Sequence, residues 1–210
     1  MTKSTPQRVR RTQAERTTDT KKALIEAAIQ VIHKLGYGGA TTALIAEEAG
    51  VSRGAILHHF GTRAVLMSEV IRDVFAKELQ EYERLDAEAH LGHSVSDWPS
   101  MLWKVFSQPS GLAVLEILQA ARSDPELSER VTSTQQAVEE LAQSSMNASF
   151  GAPVNQHFLD EMRLIVWAVR GLSIAQILVK DPQEIVRSVN LFSQILKAAE
   201  DAGVFQQKRK

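Results

Sequence analysis

The chain has 210 residues, 44% hydrophobic and 23% charged, with a formal net charge of −1, a balance that supports a sizeable core and excludes a collagen-like or fully disordered polymer. It contains no cysteine, which excludes disulfides and thiolate metal sites. No apolar run reaches the roughly 18 residues that span a bilayer, and the polar, basic opening lacks a leader's apolar core, so the expected compartment is the cytoplasm, with no membrane partner.

The near-zero charge conceals an asymmetry. Lys3, Arg8, Arg10, Arg11, Arg16, Lys21 and Lys22 precede the first apolar run, against only Glu15 and Asp19, while acidic residues exceed basic ones from about Arg72 onward. Residues 1–19 are therefore read as a basic, flexible arm. Such an arm suits a polyanion, and Arg8, Arg10 and Arg11 could enter a minor groove. A solvated tail adding only salt-dependent affinity fits the same residues.

The rest of the chain reads as all-α, because glycine and proline separate segments of helical apolar periodicity and no stretch alternates as a strand does. The first helix is expected over about Thr20–Leu35, with Leu24, Ala28, Val31, Ile32 and Leu35 on one face and "GYGG" as its stop. Thr41 or Thr42 can cap a short second helix running through Ala49. Gly50 turns the chain, and Ser52 caps a third helix ending near Phe60–Gly61. Thr62 caps a long fourth helix, on which Leu66, Val70 and Val74 lie beside Met67, Ile71 and Phe75. Two apolar stripes on one helix imply two packing partners. The fourth helix thus joins a small domain, residues 20–66, to a larger helical one, residues 67–210.

Further helix starts follow at "DWP", "DPEL" and "DPQE", where Asp97, Asp124 and Asp181 stand before a first-turn proline. Asp181 and Glu184 also have capping-box spacing. The last pair, about Val154–Lys180 and Pro182–Ala202, brings Leu164, Ile165, Ala168, Leu172, Ala175 and Val179 against Ile185, Val189, Phe192, Ile195, Leu196 and Ala199 only if the two helices pack face to face. More faces are apolar than one hairpin covers. A four-helix bundle formed by two chains would cover them, with Leu164, Ala168, Leu172, Ile185, Val189, Phe192 and Leu196 as candidate dimer contacts.

The second and third helices have helix-turn-helix spacing. Ala46 supplies the small residue at a steep crossing, and Gly50, four residues later, supplies the positive φ that the turn needs. Ile45, Ala49, Val51 and Ile56 then face a shared core, and the residues after Ser52 point toward a major groove. With these features in place, "GYGGATTALIAEEAGVSRGAILHHFGTRAVL", Gly36 to Leu66, resembles the N-terminal domain of TetR-family transcriptional repressors, the likeness extending from about Lys21.

The resemblance implies a homodimer that reads a palindromic operator, dimerises through its last two long helices and holds a small-molecule effector in the larger domain. It places Thr41 and Thr42 at phosphate, Ser52, Arg53, Gly54, Ala55, Leu57 and His58 along the recognition helix, and Arg63 where the family usually has a phosphate-contacting lysine. Leu57 departs from the pattern, since a tyrosine is common there and leucine donates no hydrogen bond. It can meet a thymine methyl or pack.

His58 and His59 are adjacent and so stand about 100° apart on a helix, which disfavours a shared metal ion. His58 is expected at DNA and His59 beside Phe60 against the first helix. His90 and His93 flank Gly92 and read as loop residues, so no metal or other cofactor is expected. Trp98, Met101, Trp103, Phe106 and Trp167 are candidates for lining an apolar effector pocket, although the same spacing serves plain core. Glu116, Arg122, Glu161, Arg163 and Arg170 fit either a ligand's polar group or ion pairs.

The leading reading is a ligand-responsive, sequence-specific DNA-binding repressor. A helical hydrolase-like enzyme finds no nucleophile elbow, phosphate loop or "HExxH". A helical interaction module that has lost DNA binding draws support only from Leu57 and is opposed by Arg53 and Arg63.

Overall fold

The computed structural model describes residues 12–89, 94–150 and 153–205, with side chains left undescribed at 86–89 and 148–150. The described residues form nine α-helices and no strand: α1 (Gln13–Gly39), α2 (Thr42–Glu48), α3 (Arg53–Phe60), α4 (Arg63–Ala89), α5 (Trp98–Phe106), α6 (Pro109–Ala120), α7 (Pro125–Phe150), α8 (Gln156–Ala175) and α9 (Gln183–Asp201). Short 3₁₀ turns, Val95–Asp97 and Ala121–Ser123, precede α5 and follow α6.

The first helix begins earlier than its apolar face indicates. Thr12 and Glu15 form a capping box, with Thr12 N–H donating to Glu15 Oε2 at 2.7 Å and Glu15 N–H to Thr12 Oγ1 at 3.2 Å. A capped polar turn needs no core contact, so residues 13–19 of the expected arm are helical. The expected stop is present: Gly36 has φ 72° inside α1 and kinks it. Arg8, Arg10 and Arg11, like His90 and His93, lie outside the described residues.

The proline-marked starts divide. Asp124 caps α7 by accepting from Leu127 N–H at 3.0 Å, and Asp181 accepts from Gln183 N–H at 2.9 Å. Asp97 instead ends a 3₁₀ turn and makes no side-chain cap bond.

Two apolar clusters organise the chain. Leu24, Ile32, Ile45, Ile56 and Leu66 under the N-terminal helices share one cluster with Ala113, Val114 and Ile117 of α6 and Leu127 and Val131 of α7. The core is therefore continuous across residues 66 and 67, where the two domains were expected to divide. The second cluster joins Trp98, Leu102, Val105 and Phe106 of α5 to Phe158, Ile165 and Val169 of α8 and Leu196 of α9. Trp98 meets Phe158 edge to face, with ring centroids 5.7 Å apart.

The last two helices do not pack face to face along their length. Helix α5 packs more extensively against α8 and against α9 than those two pack on each other. Ile185, Val189 and Leu196 are consequently buried within their own chain, and Phe192 packs partly buried on the second cluster. Ala168 and Leu172 are half-buried. Leu164 remains 70% exposed, on an outer face that continues through Trp167, Ile174 and Leu178, with Leu191 and Ile195 exposed on α9.

Candidate nucleic-acid interface and ligand cavity

The turn between α2 and α3 is built from backbone bonds. Gly50, with φ 66°, follows α2, and its N–H donates to Glu47 O while Val51 N–H donates to Ala46 O, each at 3.0 Å. This pairing satisfies carbonyls that the helix end would otherwise leave open. Ala46 is 1% exposed at the crossing, where a larger side chain would push the helices apart. Ile45 and Ile56 lie in the core, and Ala49, Val51 and Ala55 pack partly buried on it.

That packing fixes what α3 shows to solvent. Ser52, Arg53, Gly54, Leu57 and His58 are exposed and Ala55 half-buried, so the outer surface carries a cation, an imidazole and a 70% exposed leucine. Ser52 occupies the N-cap position with extended backbone but accepts no side-chain cap bond, which leaves its hydroxyl available. Thr41 caps α2 by accepting from Leu44 N–H at 3.3 Å, and exposed Thr42 opens that helix beside it.

The histidine rings touch edge to face, with centroids 4.8 Å apart. His58 faces solvent, while His59 is half-buried. Partial burial first, then the charges of His58 and Lys21, push the His59 imidazole below its usual pKa. Among the described residues no three histidine or acidic side chains gather as a metal site.

Arg63 is engaged within the protein. Its Nη2 donates to Tyr37 O at 2.6 Å and its Nε to Ala40 O at 3.3 Å, while the guanidinium stacks 3.9 Å from the Tyr37 ring. It clamps the glycine loop at the end of α1 to the start of α4. Glu116 of α6 holds the same loop by accepting from Tyr37 N–H, and Thr62 donates to Glu126 of α7 at 2.8 Å. These two bonds tie the turns flanking α2 and α3 to the body.

Within the body lies a cavity of about 340 Å³, bounded by α4, α5, α6, α7 and α8. Trp98, Met101, Phe106 and Trp167 line it. Trp103 does not: it lies half-buried against the second cluster, two residues and hence about 200° around α5 from Met101. Of the charged candidates, Arg163 and Arg170 reach the cavity, whereas Glu116 serves the Tyr37 loop and Glu161 pairs with His157 at 2.9 Å. Arg122 is exposed.

Sequence reasoning missed Glu78 and Tyr82. Arg170 Nη2 donates to Glu78 Oε2 at 2.9 Å, with the two side chains 4% and 5% exposed, and the guanidinium lies 3.8 Å from the Phe106 ring centroid. Burial pushes Glu78 above the usual carboxylate range, with Arg170 opposing the shift. Burial likewise raises the Tyr82 phenol. One signal was present: Ile71, Phe75, Glu78 and Tyr82 fall at helical spacing, placing a carboxylate within an apolar stripe.

Residues 24–70 match the model for bacterial regulatory proteins of the tetR family. An HTH-type transcriptional regulator of Mycobacterium tuberculosis is 32% identical over 120 residues, 57% of this chain and 62% of that protein, so the match spans less than two thirds of that relative. The HTH-type transcriptional regulator CymR of Pseudomonas putida is 30% identical over 198 residues, covering 90% of this chain and 94% of CymR. A transcriptional regulator from Rhodococcus sp. Rha1 shares the fold with a TM-score of 0.60 at 20% identity, over 85% of this chain and 96% of that one. The helix-turn-helix, the helical body and a 30% identical relative matched almost end to end agree: the chain belongs to the tetR family of bacterial regulatory proteins.

Proposed function

We propose that this protein is a ligand-responsive, sequence-specific DNA-binding repressor, a homodimer released from a palindromic operator when a small, largely apolar effector enters the cavity. The observation that carries the reading is the double use of α4. Its first turns pack against α1 and α3, while Phe75, Glu78, Leu79 and Tyr82 further along wall the cavity. A ligand that displaces those side chains acts on the helix that carries the reading head.

Arg53 and His58 would contact base edges or phosphates, Thr41, Thr42 and Ser52 phosphates, and Leu57 a thymine methyl, with Gly54 and Ala55 allowing close approach. Arg63 acts through the loop it clamps, and a phosphate at that loop would meet its remaining charge. The exposed apolar face of α8 and α9, with Leu164, Trp167, Ile174, Leu178, Leu191 and Ile195, would pair with its copy. This pairing would set two α3 helices about 34–36 Å apart for successive major grooves. An effector favouring another spacing releases DNA, and operator DNA must weaken effector binding by the same factor.

Genome fragments from a source bacterium, incubated with purified protein at about 150 mM salt to suppress non-specific phosphate binding, should be enriched for one short inverted repeat. Equal retention of operator-sized and random fragments by a folded dimer would defeat the reading.

A further inference from the structure

The cavity wall is mainly apolar, yet four buried polar atoms on its lining residues have no hydrogen-bond partner among the described residues. They are Glu78 Oε1, Tyr82 Oη, Gln135 Oε1 and Arg170 Nη1. Buried polar groups are almost always paired, and an unpaired one in low dielectric is costly. Glu78, Tyr82 and Arg170 belong to one locus, because Arg170 bonds Glu78 and Tyr82 lies one helical turn beyond it.

The unused capacity has a definite character. Glu78 Oε1 and Gln135 Oε1 accept, Arg170 Nη1 donates, and the Tyr82 hydroxyl does either. The formal charges cancel within the buried Glu78–Arg170 pair, while Arg163, Glu139 and Glu83 at the cavity's rim are exposed to solvent, with Arg163 held by Asp160 at 3.0 Å and Glu139 at 4.0 Å. A ligand carboxylate would meet Glu78 with its charge uncompensated, and a ligand ammonium would meet Arg170 in the same way. A neutral group that donates and accepts at one point satisfies the locus and disturbs no charge.

We infer that the effector is a neutral, largely apolar molecule bearing a hydroxyl group, a phenol or hydrophobic alcohol, whose O–H donates to Glu78 Oε1 and whose oxygen accepts from Arg170 Nη1. Phe75, Trp98, Met101 and Phe106 enclose its apolar part. This assignment rests on the cavity being the effector site. It adds the chemistry that the site selects.

Four probes of nearly equal shape test it on the full chain: para-tert-butylphenol, tert-butylbenzene, para-tert-butylbenzoate and para-tert-butylbenzylammonium. Binding is read by calorimetry and by fluorescence of Trp98 and Trp167, which line the cavity. The phenol should bind about tenfold or more tightly than each of the others. Tyr82→Phe should lower phenol affinity and spare the hydrocarbon. Glu78→Gln, which leaves the Arg170 charge unopposed, should turn the preference toward the benzoate. Tighter binding of either ion by the native protein, or equal binding of phenol and hydrocarbon, overturns the hydroxyl assignment and leaves the cavity as a ligand site. Failure of all four to bind a folded protein overturns the effector-site reading, and the assignment with it.

Discussion

Beneath α2 and α3, Leu24, Ile32, Ile45 and Ile56 close into an apolar core, whereas the body keeps about 340 Å³ open beside a buried ion pair. On the proposed function, the helix-turn-helix must present Arg53, His58 and Leu57 in one fixed arrangement, and close packing of α3 against α1 and α2 provides that rigidity. On the same proposal, the body must admit a ligand. Unfilled volume and unpaired polar atoms keep part of its stability unrealised until one binds. Rigidity at one end and incompleteness at the other suit a switch in which α4 is the shared element.

The sharpest way to break this contrast is to disturb the body's ion pair. Arg170→Met leaves the Glu78 carboxylate buried alone and should cost about 3–5 kcal/mol in chemical denaturation. Adding Glu78→Leu to that variant should recover most of the loss, because no buried charge is then left without its partner. A full, uncompensated loss in the double variant would mean that the pair is not a closed electrostatic unit.

Arg53→Ala tests the head without touching its core, since Arg53 is exposed. Operator affinity should fall by about 1–3 kcal/mol with relaxed sequence preference, measured by competition between operator and scrambled duplexes at fixed salt. A uniform loss on both duplexes would reassign Arg53 to phosphate.

Glu116→Ala addresses the connection between the regions. Removing the acceptor for Tyr37 N–H should leave ligand-free operator binding nearly intact and weaken the effector's release of DNA by about 0.5–2 kcal/mol of coupling. Effector titrations of a preformed DNA complex measure it. Unchanged coupling would direct attention to the Thr62–Glu126 bond.

The smallest effect concerns His59. Its pKa is lowered on folding, so protonation favours the unfolded chain. Its contribution is complete at neutral pH and declines as pH falls through the ordinary histidine range near ~6.5. In an NMR titration the His59 ring should finish protonating at lower pH than in the denatured chain. His59→Gln should flatten the acid side of the stability profile slightly.

The two regions also differ in how far their sequence foretold them. The helix-turn-helix was legible because its determinants are local: Thr41 caps, Gly50 turns and Ala46 spaces, all within the segment that they shape. The start of α1 was not legible from apolar periodicity, because the Thr12–Glu15 box needs no apolar residue. The cavity was half legible, since Trp98, Met101, Phe106 and Trp167 are present in type, but spacing could not tell which side of α5 would face inward, and Trp103 faces elsewhere.

By itself the sequence determined the helices, the turn of the reading head and the residues exposed on α3, because backbone conformation and capping are decided within a few neighbouring residues. Tertiary structure alone decided that Glu78 meets Arg170 across 92 residues, that α5 packs against both α8 and α9, and that Arg63 bends back onto Tyr37. Those outcomes depend on how whole helices dock, and the energy that selects one docking is spread over many distant contacts.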